Sequence, residues 1–205
     1  MPNQAVDIRS IGAPCAQRAG FAPNMSQTDR RLVHTRSIRA YAYAREDKLW
    51  DLVASLQDVK QADFPLEVGV RPAGTAYHDM ELTVTIDNSM QILDVQAVTR
   101  ASPYPGACDA FPEIYRRLIG LNLMKGFREK VRERVGGTEG CTHLTELTSV
   151  LPTLAIQTFA GELHPPVRKS EAKPLQLDRC RALRSDGPFV ATHYPRWYRK
   201  KGETT

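Results

Sequence analysis

Met80-Glu81-Leu82-Thr83-Val84-Thr85-Ile86 alternates apolar and polar residues without a fault. A period of two places Met80, Leu82, Val84 and Ile86 on one face of a strand and Glu81, Thr83 and Thr85 on the other. Asp87-Asn88-Ser89 supplies turn chemistry, and Ile92-Leu93-Asp94-Val95-Gln96-Ala97-Val98 returns as the hairpin partner. Upstream, Ser37 to Tyr43 and Leu49 to Leu56 read as two further strands around the turn Arg45-Glu46-Asp47-Lys48, with a helix as the competing reading of 49–56. Phe64 to Ala73 carries Pro65, Gly69 and Pro72 and reads as a loop with a short extended piece. These segments predict an antiparallel meander between Thr35 and Thr99.

After Pro103 and Pro105 the period changes. Ile114, Leu118, Leu121 and Met124 mark one helical face beginning near Cys108, and Phe127, Val131 and Val135 mark a second helix stopped by Gly136-Gly137. A third is expected from Cys141 to Phe159, kinked or broken at Pro152. Strands followed by helices predict an α+β fold, an antiparallel β-meander with three helices packed on one sheet face. Residues 1–30 show no sustained period and read as a flexible lead-in, and 31–163 form the single core domain. Residues 164–205 hold Pro165, Pro166, Pro174, Pro188 and Pro195, too many for a second core, and should wrap the domain as a basic extension.

Composition excludes several classes. The 205 residues are 41% apolar, 25% charged and 7% aromatic, which speaks against wholesale disorder, collagen-like repeats and a disulfide-built miniprotein. No stretch approaches the ~20 apolar residues of a membrane helix. The first 25 residues lack an apolar core behind a basic start, so the expectation is a soluble, cytoplasmic protein without a secretory signal. The net charge of +5 is concentrated at one end: residues 164–205 carry 10 Lys/Arg against 4 Asp/Glu. Arg196-Trp197-Tyr198-Arg199-Lys200-Lys201 interleaves aromatics with cations as a nucleic-acid binder would, yet it reads equally as apolar anchoring of a solvated arm. Nucleic acid is therefore the disfavoured partner. The cysteines at 15, 108, 141 and 180 form no CxxC pair, so neither a thioredoxin motif nor a zinc ribbon is present.

Three short segments carry ligand-type residues: His78-Asp79 at the head of the best strand, Cys108-Asp109 at an expected helix start, and Cys141-Thr142-His143 with Glu146 three residues on. A thiol at a helix start is favoured as thiolate, the form that ligates metal or attacks an electrophile. Cys-x-His offers two ligands on one turn, with Glu146 on the same face as His143. Successive strand residues point to opposite faces, so one of His78 and Asp79 joins any shared site, and His78 is preferred. The expected metal ligands are His78, Cys108, Cys141 and His143, with Asp79, Asp109, Glu146 or His143 moving protons. A mixed sulfur, nitrogen and oxygen set points to zinc, or alternatively iron or an iron–sulfur cluster, rather than magnesium or calcium. Were the site convergent but without metal, a thiol–histidine nucleophile would be the better reading. GxGxxG, GxxxxGK[ST], HExxH and GxSxG are all absent.

At these residues the chain resembles a bacterial family catalogued as a domain of unknown function, number 2889. The likeness runs over roughly residues 32–199 and includes His34-Thr35-Arg36, Leu49-Trp50-Asp51, Asp58-Val59-Lys60, His78-Asp79-Met80, Pro105-Gly106-Ala107-Cys108, Leu118-Ile119-Gly120-Leu121, Gly137-Thr138-Glu139-Gly140-Cys141-Thr142-His143-Leu144 and Ala155-Ile156-Gln157-Thr158. Leu177-Asp178-Arg179-Cys180 and Tyr194-Pro195-Arg196-Trp197-Tyr198 fit as well. Ala44-Arg45-Glu46-Asp47 departs from it, where a more basic turn ending in Asp-Gly is expected. A weaker likeness of fold is to SufE/NifU-type iron–sulfur scaffold proteins, although their middle cysteine is missing and His-Cys becomes Cys-Thr-His. The resemblance implies small-molecule catabolism of aromatic or acyl compounds. A metal-dependent lyase (retro-aldol, formaldehyde-releasing carbon–carbon cleavage, or dehydration) ranks first. A non-enzymatic iron–sulfur or metal carrier and a hydrolase are the alternatives. A small-molecule substrate is the expected partner, and a homodimer is left open.

Overall fold

In the computed structural model, residues 30–109, 112–162 and 173–200 are described. The expected lead-in over 1–30 and the first part of the extension lie almost wholly outside them. The fold below belongs to the unit Val33–Thr205.

Four strands build one sheet in the order β1-β2-β5-β6, every neighbour antiparallel: β1 His34–Ala44, β2 Trp50–Lys60, β5 Ala76–Ile86 and β6 Ile92–Ala101. The segment read as a loop folds as a small hairpin of its own, β3 Phe64–Leu66 with β4 Gly69–Arg71. In β2 and β5 strict alternation has its consequence. Leu52, Ala54, Leu56, Met80, Leu82, Val84 and Ile86 are all buried on the inner face. The turn between β1 and β2 holds Lys48 at φ 65°, the left-handed region where the Gly of an Asp-Gly turn would sit without cost.

The expected helix from Cys108 is not formed. Cys108 N–H bonds the Tyr104 carbonyl within a turn, and Pro112–Leu118 is a 3-10 segment. The physical cause is the punctuation: Pro103, Pro105 and Pro112 interrupt helix hydrogen bonding, and Gly106 and Gly120 take positive φ. The apolar residues fit the tighter helix, since Tyr115, Leu118 and Leu121 are buried at a spacing of three. Cys108 therefore has no helix dipole beside it. α1, Phe127–Val135, forms as the spacing predicts and ends at Gly136. The expected long third helix is two: α2 Thr142–Leu147 and α3 Leu151–Glu162, separated by a 3-10 turn at Thr148–Val150. Pro152 falls in the first turn of α3, where its missing N–H is not needed.

α2 packs on β2 and β5, and α3 on β1 and β2, so both cover the inner face. α1 lies against the 3-10 segment, which itself packs on β6, and Phe127, Val131 and Val135 join the same core. The architecture is α+β. Beyond residue 172 the chain holds α4, Pro188–His193, between short 3-10 turns. Leu177 and Val190 are buried there, and Leu175 packs against the core. Among the described residues no helix is long and apolar enough to cross a membrane.

Candidate metal centre and cavity

The register of three strands builds the centre. Arg36 on β1 pairs across with Asp58 on β2, and Asp58 with His78 on β5. All three point inward, so the apolar row Leu52, Ala54, Leu56 continues into a buried carboxylate at 1% exposure. A buried carboxylate needs its lone pairs filled. Asp58 Oδ1 accepts from His34 Nε2 at 3.0 Å and Arg36 Nε at 2.8 Å, while Oδ2 accepts from Arg36 Nη2 at 2.7 Å and His78 Nδ1 at 2.9 Å. The Arg36 fork is bidentate, the strongest form of this contact. Its remaining Nη1 donates to Glu146 at 2.6 Å, tying α2 to the edge strand.

α2 adds His143 from above the sheet. Its ring stacks on that of His78, with centroids 3.7 Å apart and planes 32° apart. Nε2 lies 3.9 Å from Asp58 Oδ2, ion-pair range but too long for a hydrogen bond. Nδ1 lies 3.9 Å from Cys141 Sγ, which also contacts Met80 Sδ at 3.8 Å. The turn that presents Cys141 and His143 is held from behind. The buried Tyr115 hydroxyl donates to the Cys141 carbonyl at 2.7 Å and lies 2.9 Å from Thr145 Oγ1. Gly140 is required in that turn, because a Cβ there would meet the Val135 carbonyl at 2.5 Å and Tyr115 Oη at 3.0 Å. Burial pushes the Tyr115 hydroxyl up to about 12, so it stays a donor.

Electrostatics favour a neutral pair of imidazoles beside an ionised carboxylate. Burial alone would raise Asp58, but hydrogen bonds from Arg36, His78 and His34 outweigh it and hold the carboxyl well below its ordinary value. Burial lowers His78, with His143 adding to the effect against the opposing bond to Asp58. Burial also lowers His143, helped by the Arg36 charge. An ionised carboxylate only accepts, so Nδ1 of His78 and Nε2 of His34 carry the protons. The buried Nδ1 of His34 has no hydrogen-bond partner.

Asp58, His78 and His143 form a group that could hold a metal ion, with one ligand atom of each within 4.8 Å of the others. Donors around a tetrahedral zinc lie about 3.3 Å apart, given bonds of ~2.0–2.2 Å. The observed 2.9 and 3.9 Å separations from Asp58 Oδ2 bracket that value. To ligate a cation through Nδ1, His78 would have to give up the proton it donates to Asp58.

Beside this group opens a cavity of about 380 Å³, lined by Ala107, Cys108, Pro112, Ile114, Tyr115, Cys141 and His143 among others. The structure thus brings together His78, His143 and Cys141 of the residues singled out in the sequence, and sets Cys108 on the wall of the same cavity. Others lie apart. Asp79 points to the opposite sheet face, bonded to Gln57 at 3.2 Å and Arg100 at 3.5 Å. Asp109 accepts from Gly106 N–H at 2.6 Å and closes a turn. Glu146 is engaged with Arg36. Sequence reasoning missed Asp58, along with the roles of His34 and Arg36. The signal was an acidic residue at the inward position two after Leu56.

Residues 34–157, more than half of the chain, match the family described as Protein of unknown function (DUF2889). The chain belongs to this family. The matched span begins at His34 and contains every member of the centre. None of the curated proteins and none of the solved structures compared with this DUF2889 chain matches it, so the likeness to SufE/NifU-type scaffolds has no matching structure behind it.

Proposed function

We propose that this DUF2889 protein is a metal-dependent enzyme acting on a small oxygenated, aromatic compound, and that the reaction is a lyase reaction releasing a small aldehyde or water. The observation that carries this proposal is the position of His143. It belongs to the Asp58–His78–His143 group and it also lines the cavity. A cation held there would be ligated by Asp58, His78 and His143, three protein ligands as in catalytic rather than structural zinc sites, and would supply Lewis-acid activation of a substrate oxygen. Two imidazoles and a carboxylate equally suit iron(II), the alternative metal. Bound metal would polarise a substrate hydroxyl or carbonyl.

The protein's own residues support the rest. Arg36 and His34 fix the orientation of Asp58, as outer partners of metal-binding carboxylates do. Ala107, Pro112, Ile114 and Leu144 offer an apolar wall to a ring, and about 380 Å³ suits a ligand of that size. The test is turnover of a panel of hydroxylated phenylpropane and benzyl compounds with aldehyde detection. Chelation is expected to abolish it and zinc or iron(II) to restore it. Full activity in metal-stripped protein, or product formation unchanged in His143→Gln, would overturn the proposal.

A further inference from the structure

Cys141, His143 and Asp58 form a line that is not exhausted by a metal. His143 turns Nε2 to Asp58 and Nδ1 to Cys141, each at 3.9 Å, so one imidazole connects the buried carboxylate to a thiol on the cavity wall. Nucleophile, base and orienting carboxylate in that sequence are the parts of a thiol nucleophile. The sulfur is half-buried, and its other near neighbour is the soft Met80 sulfur rather than a charged group that would hold it away from the cavity. The ligand class follows from the wall. Among the described lining residues none is Lys or Arg, and the single carboxylate, Glu139, is paired with Arg117 at 3.1 Å. A carboxylate or phosphate would find no counter-charge. An uncharged carbonyl compound with an apolar body fits Ala107, Pro112, Ile114 and Leu144.

We propose that Cys141 is a nucleophile toward aldehydes bound in this cavity, forming a reversible thiohemiacetal with His143 as the proton carrier. In the step, the Cys141 S–H bond breaks and its proton passes to His143 Nδ1. Sulfur forms a bond to the carbonyl carbon and the carbonyl π pair moves to oxygen. His143 then delivers the proton to that oxygen, so no electrons are gained or lost and no co-reactant is consumed. Reversal releases the aldehyde unchanged. This chemistry goes beyond the metal-dependent reaction and needs no bound metal.

The experiment uses benzaldehyde labelled with carbon-13 at the carbonyl, added to full-length, chelator-treated protein and followed by carbon NMR. The expected result is a protein-bound signal in the tetrahedral-carbon range for the wild type and for Cys180→Ala, a variant of the exposed thiol outside the cavity. It should vanish in Cys141→Ser, and its rate of appearance should fall at least tenfold in His143→Gln. A tetrahedral signal that survives Cys141→Ser, or none in the wild type at saturating aldehyde, would overturn the proposal. Circular dichroism identifies any variant that fails to fold, and where Cys141→Ser does, iodoacetamide treatment of a folded Cys15→Ala/Cys108→Ala/Cys180→Ala protein, which leaves Cys141 as its one thiol, replaces it. Because metal is removed beforehand, a failure of the metal-dependent reading shows in the turnover assay and leaves this result unaffected.

Discussion

Asp58 and Asp79 occupy the same end of one sheet, on cross-strand neighbours, and differ in almost every physical respect. Asp79 sits on the open face with 28% of its side chain exposed and makes long contacts to Gln57 and Arg100. Asp58 sits under α2 at 1% exposure and takes four short charge-assisted hydrogen bonds from three side chains on the two flanking strands. A register shift of one residue would exchange their positions. Strand parity, not residue type, makes one carboxylate a solvated partner and the other a buried anion with two neutral imidazoles beside it. Water screens the first site. The second is exposed to the full cost of an unpaired charge.

Removing Asp58 should have the largest effect. Asp58→Ala leaves the buried His78 Nδ1 without its acceptor, while the half-exposed Arg36 keeps Glu146, and a buried donor left unpaired costs about 1–3 kcal/mol. Urea unfolding of the variant checks it, and a loss below about 1 kcal/mol would show that the buried network carries little energy. Asp58→Asn keeps the volume while losing the charge, so it should lose metal affinity even where it retains the fold.

The next effect is on acid stability. His78 and His143 have folded values below the ordinary 6.5, so below that pH the unfolded chain takes up protons that the native chain refuses. Their contribution is present in full above 6.5 and is lost as pH falls toward the folded values. Asp58, also lowered, extends the loss to stronger acid. The melting temperature of metal-free protein should therefore fall steadily from pH 7 to pH 5. A flat profile there would mean that the imidazoles gain protons freely in the native state.

The outer face supplies the smallest effect and the control. Asp79→Asn and Arg100→Ala remove exposed contacts worth about 0–1 kcal/mol, and neither should alter metal binding. If Asp79→Asn lowers metal affinity as much as His78→Gln does, the division between the two faces is wrong.

Much of this contrast is legible in the sequence. Alternation in 80–86 and 92–98 established the hairpin, and parity placed His78 and Asp79 on opposite faces. Asp58 was not found because β2 was expected to end at Leu56, where apolar residues cease at inward positions. The strand instead continues to Lys60, held by pairing on both sides. A charge at an inward position of a central strand becomes intelligible only once its partners are known, and those lie 20 to 24 positions away. The helix expected at Cys108 failed for a local reason. The apolar face is read from Ile114 in the sequence, whereas the buried residues are Tyr115, Leu118 and Leu121, at a constant spacing of three.

The central claim is that Asp58, His78 and His143 hold a metal. Its most direct test is zinc titration of chelator-stripped, full-length protein by calorimetry, with elemental analysis of the product. About one equivalent is expected for the wild type, Cys108→Ala and Asp79→Asn, with His78→Gln and His143→Gln each folded yet weakened at least tenfold. Absence of zinc and iron(II) binding in the wild type, or full affinity retained in both histidine variants, would contradict it.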